Sequence, residues 1–295
     1  MHSVMEAIGE VRCVADVKAV LGEGPLWVAD EQSLYWVDIK GSKIFRLDDS
    51  GEVQEWSTPV RVGSLALRRD GGFIAGTDRG IAEVDLDPPR FDLFCDPEAD
   101  RPGNRFNDGK VDRHGRFWAG TMDDGESAAL GALYRLDADR RCTRIDDGYR
   151  VTNGPAFSVD GTVMYHNDSG RQLTYRFDLD TAGVATRRQV FARFGEGDGY
   201  PDGMTVDAEN CLWIAFWDGW CVRRYSPGGE LLATVRLPVQ KPTSCAFGGP
   251  ALDRLFVTSA SIGITGVELD AQPCAGGLFV LETGTCGLVD LPFAG

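Results

Sequence analysis

Histidine, positive charge and long apolar runs are scarce in this chain, and each scarcity removes a class of function. Three histidines, His2, His114 and His166, are too few for a histidine-rich zinc centre, and His114 in a turn and His2 in the tail read as surface residues. No GxSxG elbow, HExxH helix, Walker loop or dinucleotide glycine motif is present, which argues against a Ser-His-Asp hydrolase and against nucleotide chemistry. With 30 basic against 45 acidic residues and a net charge of −15, the surface opposes phosphate backbones and anionic lipid, so neither nucleic acid nor membrane is expected as a partner. The acidity itself reads as a solvated surface.

No segment approaches the roughly 20 apolar residues of a membrane span. The opening MHSVMEAIGEVR carries acidic residues without the apolar core of a secretion signal, so a cytoplasmic chain is expected. Eight cysteines occur singly, with no CxxC pair, and read as reduced core residues rather than a disulfide framework. The segments between apolar runs lack amphipathic stretches of ten residues and are rich in Gly, Pro and Asp, which excludes a parallel α/β fold. No feature calls for an obligate protein partner.

What is present is repetition. A polar residue, a short apolar stretch, an Asp or Gly turn and an aromatic-rich strand recur from Glu23, Ser64, Asn107, Asn153, Asp202 and Ser244, at intervals of 41 to 49 residues. That period matches four short strands plus turns. Turn dipeptides such as Asp70-Gly71, His114-Gly115 and Asp160-Gly161 separate the first two strands of a unit, and a third ends in phrases such as IFRLD, LYRLD and TYRFD. The expectation is an all-β, six-bladed β-propeller with a central-channel metal site, forming one domain over residues 1–295. Residues 12–20 precede the first copy and are expected to close the ring by pairing with the last blade, which would remove a free sheet edge.

The innermost strand of each blade lines the channel, so the six starting residues converge on one axis. Two of them, Glu23 and Asp202, are carboxylates, which repel in a partly desolvated channel unless a cation compensates. With the amide oxygen of Asn153 they form an all-oxygen set for one divalent cation, leaving coordination sites open. A competing reading makes Glu23 and Asp202 simple turn residues, since Glu-Gly-Pro and Asp-Gly are ordinary turn sequences. Against it, EGPLW at 23–27 mirrors NGPAF at 153–157 in an equivalent position.

Arg105 and Asn107, in NRFNDGK, crowd the start of the third blade. A guanidinium there suits a carbonyl, carboxylate or sugar hydroxyl, and the amide can join the same ligand. Asp124 in TMDDGES and Asp168 in HND follow second strands and are candidates for substrate contact.

The ordered motifs LGEGPLW (21–27), NRFNDGKVD (104–112), FWAGTM (117–122), TNGPAFS (152–158) and YPDGMTVD (200–207) resemble the gluconolactonase/regucalcin family over nearly the whole chain. The resemblance implies a six-bladed propeller that hydrolyses sugar lactones with a divalent metal on Glu23, Asn153 and Asp202. It further implies substrate contacts from Arg105 and Asn107, and Asp202 as general base. Calcium comes first among the implied metals, ahead of zinc, iron(II), manganese and magnesium. Animal members carry a substrate-contacting glutamate where this chain has Gly125, so Asp124 or Glu126 is the candidate replacement. Two other readings fit the same residues: an arylesterase or phosphotriesterase of related shape, and a calcium-binding propeller without activity.

Overall fold

The structure, a computed structural model, describes residues 9–295. His2 lies outside the described residues. Six four-stranded antiparallel sheets follow one another along the chain. Their inner strands are Gly22–Val28, Val62–Leu67, Asn104–Val111, Thr152–Phe157, Tyr200–Val206 and Pro242–Gly248. Each contains one of the six predicted starting residues. The ring closes as expected: Arg12–Ala15 pairs antiparallel with Leu278–Glu282, so the N-terminal strand completes the sheet begun by Pro242–Gly248.

Burial falls from the axis outward. In the first blade the second strand, Ser33–Asp38, is buried at every position, whereas four of the five residues of the outer strand Val53–Ser57 are exposed. Strands covered on both faces become continuous apolar runs, which explains the LYWV and FWAG phrases, while a rim strand can remain polar. Blades pack face to face through side chains from both sheets; Tyr35 of the first blade, for example, lies 5.0 Å from Phe73 of the second. The hairpin turns depend on left-handed backbone, as at Gly71 and Gly72, with φ of 93° and 67°.

Inside the third and fifth blades a buried aspartate pins the turn to the sheet. Asp207 accepts bonds from the Glu209 and Cys211 amides, from Trp213 Nε1 and from Arg224 Nε. Asp112 does the same for His114, Arg116 and Trp118.

The one α-helix among the described residues is the single turn Val267–Asp270, and no helix there is long or apolar enough to cross a membrane. All eight cysteines are free, but only Cys211, Cys221 and Cys245 are buried. Cys286 is exposed and the other four are half-buried, so the core assignment holds for three of the eight.

Candidate functional site

Register shifts occur in all six inner strands, and at Glu23, Asn107, Asn153 and Asp202 they build the site. Pairing jumps between Glu23 and Leu26, Phe106 and Gly109, Asn153 and Ala156, and Pro201 and Met204. In each case two residues oppose one on the partner strand, a β-bulge that breaks alternation and re-aims side chains. The polar residue of each repeat sits at or beside this bulge.

Glu23, Asn107, Asn153 and Asp202 line one cavity of about 540 Å³ at one end of the channel, together with Arg105. The three predicted metal ligands are only 3–5% exposed. Burial raises the carboxyl of Glu23 well above the usual range, helped by the charge of Asp108 and opposed by the Gly24 amide and Arg105. Burial also raises Asp202, and the charges of Glu23 and then Asp108 raise it further. Asp202 Oδ1 is buried without any hydrogen-bond partner. A buried carboxylate oxygen is costly when unpaired. Two buried carboxylates, one of them with this unpartnered oxygen, and an amide oxygen, with no histidine or thiol among them, are the donor chemistry of a hard divalent cation. The residues therefore fit the metal that the sequence implies.

Asn107 joins the parts. Its Nδ2 donates to Asn153 Oδ1 at 2.9 Å and to Thr152 O at 2.8 Å, and its Oδ1 accepts from Arg105 Nη1 at 2.6 Å. Both donors are thus occupied, and any contact with a ligand falls to the remaining lone pair of Oδ1. Arg105 is buried, with Nε on Asp124 at 2.7 Å and Nη1 also on Phe106 O. Its Nη2 makes no hydrogen bond among the described residues, and the residue lines the cavity. Burial lowers the Arg105 pKa, while Asp124 opposes that shift.

Asp124 and Asp168, chosen from sequence as substrate contacts, stand elsewhere. Asp124 is half-buried outside the cavity lining and accepts from Lys40, Arg61 and Arg105. Burial pushes its carboxyl upward, but those three cationic donors outweigh burial and hold it well below the usual range. Asp168 is fully buried and accepts from the Arg150 amide and from Arg171 Nη1 at 2.6 Å. Neither lines the cavity, whereas Glu126 does.

Sequence reasoning passed over two contributors. Asp108, the second residue of the third-blade bulge, accepts from the Gly109 and Gly154 amides, both at 2.8 Å. Burial raises its pKa to about 6. It lines a small enclosed pocket with Lys110 and Asp290, and its bulge position was the available signal. The other is Arg150, on the cavity wall three residues before Asn153, for which no motif stands in the sequence.

Residues 21–261 match the family model described as the SMP-30/Gluconolactonase/LRE-like region. The chain is 37% identical over 287 residues to a 6-deoxy-6-sulfogluconolactonase of Pseudomonas putida, covering 97% of this chain and 99% of that protein. It is 38% identical over 299 residues to regucalcin of Gallus gallus, with the same coverage. Among solved structures it is similar to regucalcin of Agrobacterium tumefaciens, described as a calcium-binding protein, with a TM-score of 0.92, 28% identity and 97% of each chain covered. A gluconolactonase of Xanthomonas campestris gives a TM-score of 0.77 at 25% identity, over 93% of this chain and 89% of that one.

Proposed function

Because the chain belongs to the SMP-30/gluconolactonase/LRE-like family, we propose that it is a metal-dependent sugar lactonase that opens an aldonolactone to its acid in the channel cavity. Relatives named for lactone hydrolysis support the reading. The observation that carries it is Asp202, an enclosed carboxylate with an unpartnered oxygen on the wall of a cavity of sugar size.

Glu23, Asn153 and Asp202 would hold the divalent cation, calcium first in view of the regucalcin relatives. Bound there, such an ion supplies Lewis-acid polarisation of the lactone carbonyl and compensation for the developing oxyanion. The chain's own residues do the rest. Arg105 presents Nη2 to the ring oxygens and hydroxyls, fixed in place because Nε and Nη1 are tied to Asp124, Phe106 and Asn107. Asp202 removes a proton from the attacking water as the new carbon–oxygen bond forms. The bond from carbonyl carbon to ring oxygen then breaks, and the proton passes to that oxygen, which leaves as a hydroxyl.

A pH-indicator assay over a panel of aldonolactones, before and after exhaustive chelation, tests the reading. Turnover lost on chelation and restored by a divalent metal is the expected result. Metal binding without turnover of any lactone would instead identify a binding propeller, and preferred turnover of aryl esters or phosphotriesters would move the substrate class.

A further inference from the structure

The cavity wall carries four cationic side chains, Lys40, Arg105, Arg150 and Lys241. Three have acidic neighbours: Lys40 and Arg105 pair with Asp124, and Lys241 lies 3.7 Å from Asp218 and 4.4 Å over the Trp217 ring. Arg150 differs. It is exposed at the mouth, and among the described residues its guanidinium makes no ion pair and no hydrogen bond.

Local architecture keeps it free. Asp168 binds the Arg150 backbone amide at 3.2 Å but gives its other oxygen to Arg171 at 2.6 Å. The stem of Arg150 lies along Gly170, where a Cβ would stand 2.7 Å from Arg150 Cβ and 3.3 Å from its Cδ. Gly170 has no left-handed backbone, so what this position requires is space for the arginine. Gly170 also lines the cavity, so the stem runs along the wall. Three residues separate Arg150 from Asn153, at most roughly 10 Å of chain even when fully extended, a distance within reach of a six-carbon lactone and a guanidinium together.

We propose that Arg150 is a specificity-determining residue that receives an anionic substituent, a carboxylate, sulfonate or phosphate, at the end of the lactone remote from its carbonyl. The proposal rests on the lactonase reading. A guanidinium with all its N–H donors unused presents the planar fork that these anions accept. With a divalent cation balancing Glu23 and Asp202, Glu126 is the acid that remains among the lining residues, and Arg150 is the lining cation without an acidic partner.

The test compares kcat/KM for gluconolactone with that for its 6-phosphate and 6-sulfonate counterparts and for glucarolactone, in the wild type, Arg150→Gln and Arg150→Lys. The three anionic arms distinguish phosphate, sulfonate and carboxylate. The wild type should favour at least one anionic substrate by about 10-fold or more, mainly through KM. Arg150→Gln should collapse that ratio and Arg150→Lys should retain part of it. A wild type that prefers the neutral lactone to all three, or a ratio unmoved in Arg150→Gln, overturns the proposal. If no lactone turns over, the lactonase reading fails, and calorimetric titration with 6-phosphogluconate, 6-sulfogluconate, glucarate and gluconate decides on Arg150. A preference for an anion-bearing acid that Arg150→Gln abolishes supports the site; equal binding throughout overturns it.

Discussion

The side-chain amide of Asn107 donates to Asn153 Oδ1 at 2.9 Å, and a second contact fixes which way the Asn153 amide points. Asn153 Nδ2 donates to Ser169 Oγ at 2.8 Å, whose own proton goes to Pro201 O at 2.5 Å. The hydroxyl must therefore accept from Asn153, which sets Nδ2 toward Ser169 and leaves Oδ1 with one lone pair for a cation. Asn107 is thus a positioning residue. Asn107→Ala should weaken divalent-metal binding and kcat/KM by about 10- to 100-fold, the usual effect of losing a group that orients a ligand. Titration calorimetry checks the first and steady-state rates the second. An unchanged metal affinity would show that Asn153 needs no support.

Asp202→Asn separates chemistry from folding. The amide keeps the shape but cannot take a proton, so kcat should fall about 10²- to 10⁴-fold. The metal-free variant should be at least as stable as the metal-free wild type, because an unpartnered buried carboxylate has been replaced by a neutral group. Calcium is expected to raise the Tm of the wild type, and that rise should shrink or vanish in the variant. Wild-type turnover in this variant would remove Asp202 from the mechanism.

Asp124 acts through Arg105. Losing the carboxylate charge in Asp124→Asn loosens the 2.7 Å bond to Arg105 Nε and releases Lys40 and Arg61 from the same centre. A guanidinium displaced by even 1 Å orients substrate poorly, so kcat/KM should fall by about 10- to 100-fold. Metal affinity should be preserved, since Asp124 touches no ligand position. Equal losses in metal binding and in kcat/KM would mean that the site as a whole had collapsed.

The propeller was legible because each blade repeats one pattern of polar start, turn and aromatic strand, and a repeat survives variation in any single copy. That Glu23, Asn153 and Asp202 line one cavity was legible for the same reason, equivalent positions on a ring facing one axis, although Ser64 and Ser244 hold such positions without lining it. Asp124 and Asp168 illustrate the limit. Both are acidic residues read from the sequence as lying after a second strand and within reach of substrate, yet each is drawn into a local cluster of cations or amides. Whether an aspartate meets Arg105 or a substrate depends on the paths of neighbouring blades, with Arg61 and Lys40 arriving from 63 and 84 residues away. Arg150 was hidden differently, because its significance lies in a missing partner and in the room that Gly170 leaves for its stem.

His166 should dominate one part of the acid response. Neither ring nitrogen has a hydrogen-bond partner, the residue is fully buried, and its ring meets Tyr149 edge-on at 4.7 Å. The groups around it are Tyr149, which is bonded to Asp146, and Arg188, which lies over both the Tyr149 and Tyr175 rings. Burial and then the charge of Arg188 lower the His166 pKa to about 3 from 6.5. Between those values the unfolded chain holds a proton on His166 that the folded chain refuses, so acid favours unfolding. One such proton corresponds to about 1.4 kcal/mol of lost stability per pH unit below 6.5. His166→Phe retains an aromatic ring against Tyr149 and removes the titration. Denaturant unfolding of both proteins at pH 6.5, 5.5 and 4.5 should give curves that differ by one proton in slope, the variant losing less stability at each step. Contributions from groups other than His166 are common to both proteins and cancel in the comparison. Parallel curves would mean that His166 binds its proton in the folded state as readily as in the unfolded chain.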